Sequence, residues 1–240
     1  MNMNSDPVFL RKEIAARKGE KKPDFDLDDK SQYFALKRIF DIVISFIFIV
    51  AVLSWLAPII ALLIIIDSGG PVFFFQKRVG KRGSVFICYK FRTMILNSDA
   101  DRLQALPHDK RITFIGNILR RSNLDELPQF FNVLMGDMSI VGPRPHMHAD
   151  HTRFSSLIKG YDFRSLVRPG ITGLAQVRGF SGPAPDIERI FGRYQWDAFY
   201  LRNANFLLDL RIIRKTITQQ IIFWFKTLYN CFFYKPADPA

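Results

Sequence analysis

KRIFDIVISFIFIVAVLSWLAPIIALLIII, residues 37–66, is the stretch that decides the architecture. Lys37, Arg38 and Asp41 open it, and from Ile42 to Ile66 no residue carries a charge. About 20 apolar residues cross the hydrocarbon core of a bilayer as a helix, so this run is long enough to span. Two features point instead to a helix that enters and returns. Pro58 lies inside the run, where it deletes a backbone hydrogen bond and crowds the preceding turn, which predicts a break at Ala57-Pro58. Both flanks are also basic, with Lys77, Arg78, Lys81 and Arg82 following, and the positive-inside rule places both ends on the cytoplasmic face. The expectation is a re-entrant helix-break-helix over residues 37–68, with Lys37 and Arg38 as interface anchors. A proline-kinked spanning helix is the alternative. Asp41 is costly to bury and is expected to pair with a neighbouring Lys or Arg.

Residues 1–36 form a polar extension in which Val8–Arg17 has the pattern of a short basic amphipathic helix and DFDLDD reads as linker. No signal-peptide pattern is present, because the apolar segment starts late and no small-residue cleavage site follows it. Residues 69–240 read as a small mixed α/β domain on the cytoplasmic face. Gly69-Gly70-Pro71 ends the apolar helix, and a β-hairpin follows, with strands over Val72–Gln76 and Val85–Phe91 and a basic turn between. At period two, Lys90 and Arg92 project from one face, where they could grip a phosphate or face lipid head groups or water. Residues 96–112 look like a polar helix and loop. Glu188–Asn203 is predicted helical, and from Phe206 apolar residues recur at helical spacing toward Trp224, which suits either the membrane interface or a core. The fold class is α+β: a re-entrant N-terminal membrane helix, then a domain with a β-hairpin and interfacial amphipathic helices.

Composition narrows the partners. A net charge of +12 favours polyanions, and 48% hydrophobic residues with 24 Phe exceed what a soluble chain of 240 residues needs. The aromatics sit beside apolar runs rather than among Lys and Arg, so anionic lipid or a phosphorylated metabolite fits and no nucleic acid is expected. Two cysteines without a motif around them fit a reducing compartment.

The densest chemistry lies in RRSNLDELPQFFNVLMGDMSIVGPRP, residues 120–145. Asp125 and Glu126 are adjacent carboxylates flanked by Arg120 and Arg121, and Arg144 stands between two prolines. The local reading is a capping box, with Asn123 as N-cap and Glu126 three residues on. A helix N-terminus would hold Asp125 ionised, able to attack phosphorus or to hold Mg2+. Arg120, Arg144 and Arg168, with Lys90 and Arg92, are the candidate cations for a phosphate, and Arg168 is carried by the rigid turn VRPGITG. His146, His148 and His151 have a metal-like spacing, but no cysteine or fourth ligand accompanies them, so a polar surface or sugar contact fits better than zinc.

KRIFD, the proline-broken run, YKFRTM, NLDELPQFFNVLMGDMSIVGPRP, VRPGITGLAQV and the closing YLRN-x-x-F-x-LDL-x-I, taken in order, resemble the bacterial sugar transferase family of monotopic polyprenyl-phosphate phosphoglycosyl transferases. The likeness runs from about Lys37 to the C-terminus and is to the short, catalytic-core form, nearest the members that start exopolysaccharide or colanic-acid-type synthesis. It implies transfer of a sugar 1-phosphate from a UDP-sugar to undecaprenyl phosphate with release of UMP, at the cytoplasmic face of the bacterial inner membrane. It also implies Asp125 as covalent nucleophile and Glu126 as its acid/base or Mg2+ partner. Arg120, Arg144 and Arg168 become phosphate and nucleotide contacts, and Asp197 an acidic residue at the metal site. A homodimer is a further expectation, and glucose, galactose and an N-acetylated hexose all remain open. Two departures stand out: Leu56-Ala57 precede the membrane proline where relatives carry Ser-Pro, and Leu174 replaces a frequent Trp. The competing reading is a non-catalytic basic scaffold binding anionic lipid or partner proteins.

Overall fold

The computed structural model describes residues 30–96, 109–182 and 186–233, without the side chains of 228 and 230–233. The expected helices at Val8–Arg17 and within 96–112 lie outside, or mostly outside, these residues. Chain contacts divide Met1–Ser31 from a unit that begins at Gln32, and of the first only Lys30 and Ser31 are among the described residues.

Helix α1 (Ser31–Phe48) runs through a π-helical segment, Ile49–Leu53, into α2 (Ser54–Ser68). Ala57 and Pro58 are inside α2, so the irregular backbone lies N-terminal of the expected break. The cause is the direction in which proline acts: its ring and missing N–H disturb the carbonyls one turn earlier. Within the π-helical segment the Val50 carbonyl also accepts from Ser54 Oγ at 2.6 Å and the Ala51 carbonyl from the Trp55 indole at 2.9 Å.

The two faces of this helix are inverted relative to a soluble protein. The buried positions of α1 are Lys37, Asp41 and Ser45, four residues apart, while Ile39, Ile42, Val43, Phe46, Ile47 and Val50 are exposed. Ser31–Ser68 is long and apolar enough to cross a membrane. Burying the polar stripe and exposing the apolar one is favourable only where the surroundings are apolar.

The domain begins with the hairpin β1 (Phe73–Val79) and β2 (Val85–Phe91), antiparallel from Phe73–Phe91 to Val79–Val85. Helix α3 (Phe114–Arg121) packs Leu119 with Phe91 against Leu53, Ile60 and Ile64 of the long apolar helix. Helix α4 (Gln129–Met135) is stitched to the edge of β2 by Asn132, whose Oδ1 accepts from the Tyr89 amide at 2.9 Å and whose Nδ2 donates to the Ile87 carbonyl at 2.6 Å. Short strands β3 (Ser139–Val141) and β4 (Gly170–Thr172) then pair in parallel. Their approach is too close for side chains: a Cβ on Gly142 would lie 2.5 Å from the Arg168 carbonyl oxygen. Helices α5 (His148–Leu157), α6 (Leu174–Val177), α7 (Ile187–Asn203) and α8 (Phe206–Phe233) complete the unit.

Lys37 and Arg38, expected as interface anchors, are turned into the protein. Lys37 Nζ donates to Asp209 Oδ2 of α8 at 2.8 Å, and the hydroxyls of Tyr33 and Tyr200 donate to the same carboxylate at 2.7 and 2.8 Å. Arg38 donates to the carbonyls of Val133 (2.6 Å) and Leu134 (3.0 Å), satisfying the open C-terminal end of α4. Asp41 takes Ser139 Oγ at 2.7 Å and the Ile140 amide at 3.1 Å, so neutral donors stand where a Lys or Arg was expected. Replacing Lys37 by Ala strands a buried carboxylate and is expected to cost about 3–5 kcal/mol. Thermal unfolding should show that loss in Lys37→Ala and recover most of it in Lys37→Met/Asp209→Asn; an unchanged Tm in the single variant would contradict the pairing.

Candidate active site

Asp125 and Glu126 lie on a single 3-10 turn, Leu124–Glu126, between α3 and α4. The expected capping box does not form. Asn123 is left-handed (φ 56°) and its side chain caps nothing, while the carboxylate of Glu126 points away toward cations. Lys90 Nζ donates to Glu126 Oε1 at 2.7 Å, and Arg144 grips both oxygens, Nη1 to Oε2 at 3.0 Å and Nη2 to Oε1 at 2.5 Å. The side-chain amide of Asn132 produces this arrangement at a distance, because docking α4 on β2 brings the turn beside Lys90.

The two carboxylates titrate in opposite directions. Burial raises the Asp125 carboxyl, and the neighbouring Glu126 charge raises it further; Lys90, Arg120 and Arg144 pull against both, leaving it near 6. Burial also opposes the charge of Glu126, but Arg144 and then Lys90 overwhelm that cost and hold it well below the usual carboxylate range. Dipole stabilisation of Asp125 was the sequence expectation; burial beside a like charge wins instead. Among the described residues no donor occupies the Asp125 carboxylate, which is 8% exposed. A desolvated, unbonded carboxylate next to a fixed anion held by two cations suits nucleophilic attack on a phosphate.

The other candidates divide. Arg120 is close enough to lower the Asp125 carboxyl, and its Nη1 donates to Thr93 Oγ1 at 3.3 Å. Arg92 does not share a face with Lys90: it follows the end of β2 and is buried, donating to the Pro71 carbonyl at 2.6 Å and to Gly69. It closes the end of the apolar helix, at the Gly69 and Pro71 carbonyls. Arg168 donates from Nε to the Gly136 carbonyl at 2.7 Å, beside the end of α4 that Arg38 also serves. Guanidinium groups satisfy open carbonyls as readily as phosphates, and here Arg92 and the Nε of Arg168 serve carbonyls at or just past helix ends.

Asp197 is not brought to the dyad. It lies 1% exposed in α7 and accepts from Arg164 Nε and Nη2 at 2.9 and 2.8 Å, and among the described residues no three His, Cys, Asp or Glu converge as a metal-holding group. Asp125, with an open carboxylate, and Glu126, whose Oε2 takes a single hydrogen bond, still match the way Mg2+ binds, through one or two carboxylates and the substrate's phosphates. The histidines go to three places. His146 is buried between the Tyr161 hydroxyl (2.8 Å) and Arg193 (3.3 Å), His148 starts α5 at the surface, and His151 meets Asp162 at 2.9 Å.

Sequence reasoning passed over Arg164 and Asn132, and read Arg78 only as a flanking charge. Only Asn132 left a signal, as a lone amide within the apolar FFNVLM. The profile of the bacterial sugar transferases matches residues 32–222, most of the chain. The chain belongs to the bacterial sugar transferase family. It is 45% identical over 189 residues to a UDP-glucose:undecaprenyl-phosphate glucose-1-phosphate transferase of Xanthomonas campestris pv. campestris, covering 77% of this chain and 39% of that protein. The exopolysaccharide production protein PSS of Rhizobium leguminosarum bv. phaseoli is 44% identical over 194 residues, covering 78% of this chain and 95% of the relative. A UDP-N-acetylgalactosamine-undecaprenyl-phosphate N-acetylgalactosaminephosphotransferase of Aeromonas hydrophila is 44% identical over 187 residues, covering 77% and 43%. The matched region thus spans about two fifths of the glucose-1-phosphate transferases of Klebsiella pneumoniae, Escherichia coli and Xanthomonas campestris, and nearly all of the Rhizobium exopolysaccharide production protein.

Proposed function

We propose that this sugar transferase moves a sugar 1-phosphate from a UDP-sugar to undecaprenyl phosphate through a covalent phosphosugar on Asp125, as the step that initiates an exopolysaccharide or another glycoconjugate. One observation carries the reading: Asp125 is buried, unbonded and raised toward neutrality, beside a Glu126 locked by Lys90 and Arg144. An Asp125 oxygen attacks the sugar-bearing phosphorus, a new O–P bond forms, and the bond to UMP breaks. An oxygen of undecaprenyl phosphate then attacks the same phosphorus, and the Asp125 carboxylate leaves unchanged. Arg144, Arg120 and Lys90 offset the charge on the transferred phosphate. Glu126 stays ionised and orients two of these cations, which makes it a holder of charge rather than a proton carrier. Mg2+, held by Asp125 and Glu126 with the donor's diphosphate, would neutralise charge on the departing nucleotide.

Attack requires the ionised form of Asp125, so the rate of the first step should rise with pH through about 6 and level off above it. A rate–pH profile of UMP release checks this, and a limb at the ordinary carboxylate value near 4 would contradict it.

The membrane helix supports a re-entrant, monotopic placement at the cytoplasmic face of the inner membrane. Arg38 reaches Val133 and Leu134, and Asp67 accepts from the Ile115 amide at 3.1 Å, so both ends of the run touch one domain. A spanning helix would place Arg38 and Asp67 on opposite sides of the bilayer. UMP release assayed with UDP-glucose, UDP-galactose and UDP-N-acetylgalactosamine, with undecaprenyl phosphate, tests the activity; release from at least one is required, and release from none overturns the reading.

A further inference from the structure

Arg144 is held at both ends. Its guanidinium grips Glu126, and its carbonyl oxygen accepts a hydrogen bond of 2.7 Å from Arg164 Nη2. Arg164 lies on the 3-10 turn Tyr161–Leu166 and is 4% exposed; its Nε and Nη2 converge on one oxygen of Asp197. The next two carbonyls are also taken: Pro145 accepts from Arg78 Nη1 at 3.1 Å, and His146 from the Val79 amide at 2.9 Å. Three successive carbonyls after Pro143 are therefore pinned by donors from two separate elements. An ion pair this deeply buried gives little net stability, and an apolar pair of the same volume would serve packing as well. What an apolar pair could not supply is a donor aimed at the backbone of the residue that holds Glu126.

We propose that Asp197 and Arg164 form a positioning pair for the reaction: the carboxylate fixes the Arg164 guanidinium, which fixes the Arg144 backbone and so the direction of the Arg144 side chain. Neither residue touches substrate; both act through Arg144. This deepens the phosphosugar-transfer reading of the Asp125 site and rests on it. The pair would give Asp197 a part in the reaction without making it a metal ligand, since preorganised charge loses its effect when its support shifts by as little as an ångström.

The test is a cycle of variants read by single-turnover UMP release from a UDP-sugar, with thermal unfolding measured alongside. Asp197→Asn should slow the step by roughly 10–100-fold in the wild-type background. In the Arg144→Ala background the same substitution should add no more than about a twofold loss, because the side chain to be positioned is gone. Asp197→Glu, which keeps the carboxylate, should regain part of the rate. Equal slowing in both backgrounds, or a lower Tm with an unchanged rate, would overturn the proposal. Should Asp197→Asn fail to fold, Arg164→Lys carries the same cycle with the same outcomes. Wild-type protein that releases no UMP would sink the transfer reading and this inference together, whereas an active wild type with independent effects sinks the inference alone.

Discussion

Asp125→Asn is expected to abolish UMP release while making the protein more stable. Asn cannot form the acyl-phosphate, so single-turnover release should fall by at least about 10^4-fold, the scale on which removing a covalent nucleophile acts. The stability effect has the opposite sign. The Asp125 carboxyl is raised on folding, first by burial and then by Glu126, so its ionisation works against the native state. That cost is absent at low pH and grows as pH rises from the unfolded value near 4 through about 6, reaching on the order of 2 kcal/mol at neutrality. A carboxamide of the same shape removes it, and Tm at pH 7.5 should rise by roughly 4–8 °C. The gain should shrink as pH is lowered. Catalytic groups held in unfavourable surroundings show this trade of stability for activity.

Arg144→Ala should be the next most damaging change. It removes the bidentate partner of Glu126 and one of the cations proposed to offset the transferred phosphate, so UMP release should slow by about 10^2–10^3-fold. It also leaves Glu126 buried with Lys90 alone, and Tm should fall, in contrast to Asp125→Asn. Arg144→Lys keeps a charge but loses the planar fork, and should recover only part of the rate. The acidic limb of the rate profile should move to higher pH in Arg144→Ala, because Arg144 is one of the cations holding the Asp125 carboxyl down. An Arg144→Ala protein with wild-type UMP release would show that the Glu126 pair is only structural.

Much of this layout was legible in the residues. The hairpin appears where alternation and a glycine-flanked basic turn placed it, with β1 running on to Val79, and α7 and α8 follow their helical spacing. The place of Glu126 and Arg144 in one short stretch was visible, but Arg144 was expected on a phosphate, and its grip on Glu126 emerges only from the structure. Other features were hidden for physical reasons. Strands of three residues, Ser139–Val141 and Gly170–Thr172, are too short to show alternation, so VRPGITG read as a turn rather than as a partner of the stretch before GPRP. The charges of Arg92, Arg168, Lys37 and Arg38 were visible, but a guanidinium or ammonium serves a carbonyl, a carboxylate or a phosphate equally well. Only tertiary structure decides which is near. The Asp125 carboxyl shows the same limit, because its surroundings are set by the docking of α4 on β2 through Asn132.

The most direct test of Asp125 as covalent nucleophile is the intact mass of the full chain in lipid nanodiscs, incubated with its UDP-sugar and no acceptor. A mass increment of one sugar phosphate should appear, map to Asp125 on peptide sequencing, and disappear when undecaprenyl phosphate is added. UMP release that depends on acceptor, with no adduct at any time, would contradict the account and require direct transfer between donor and lipid.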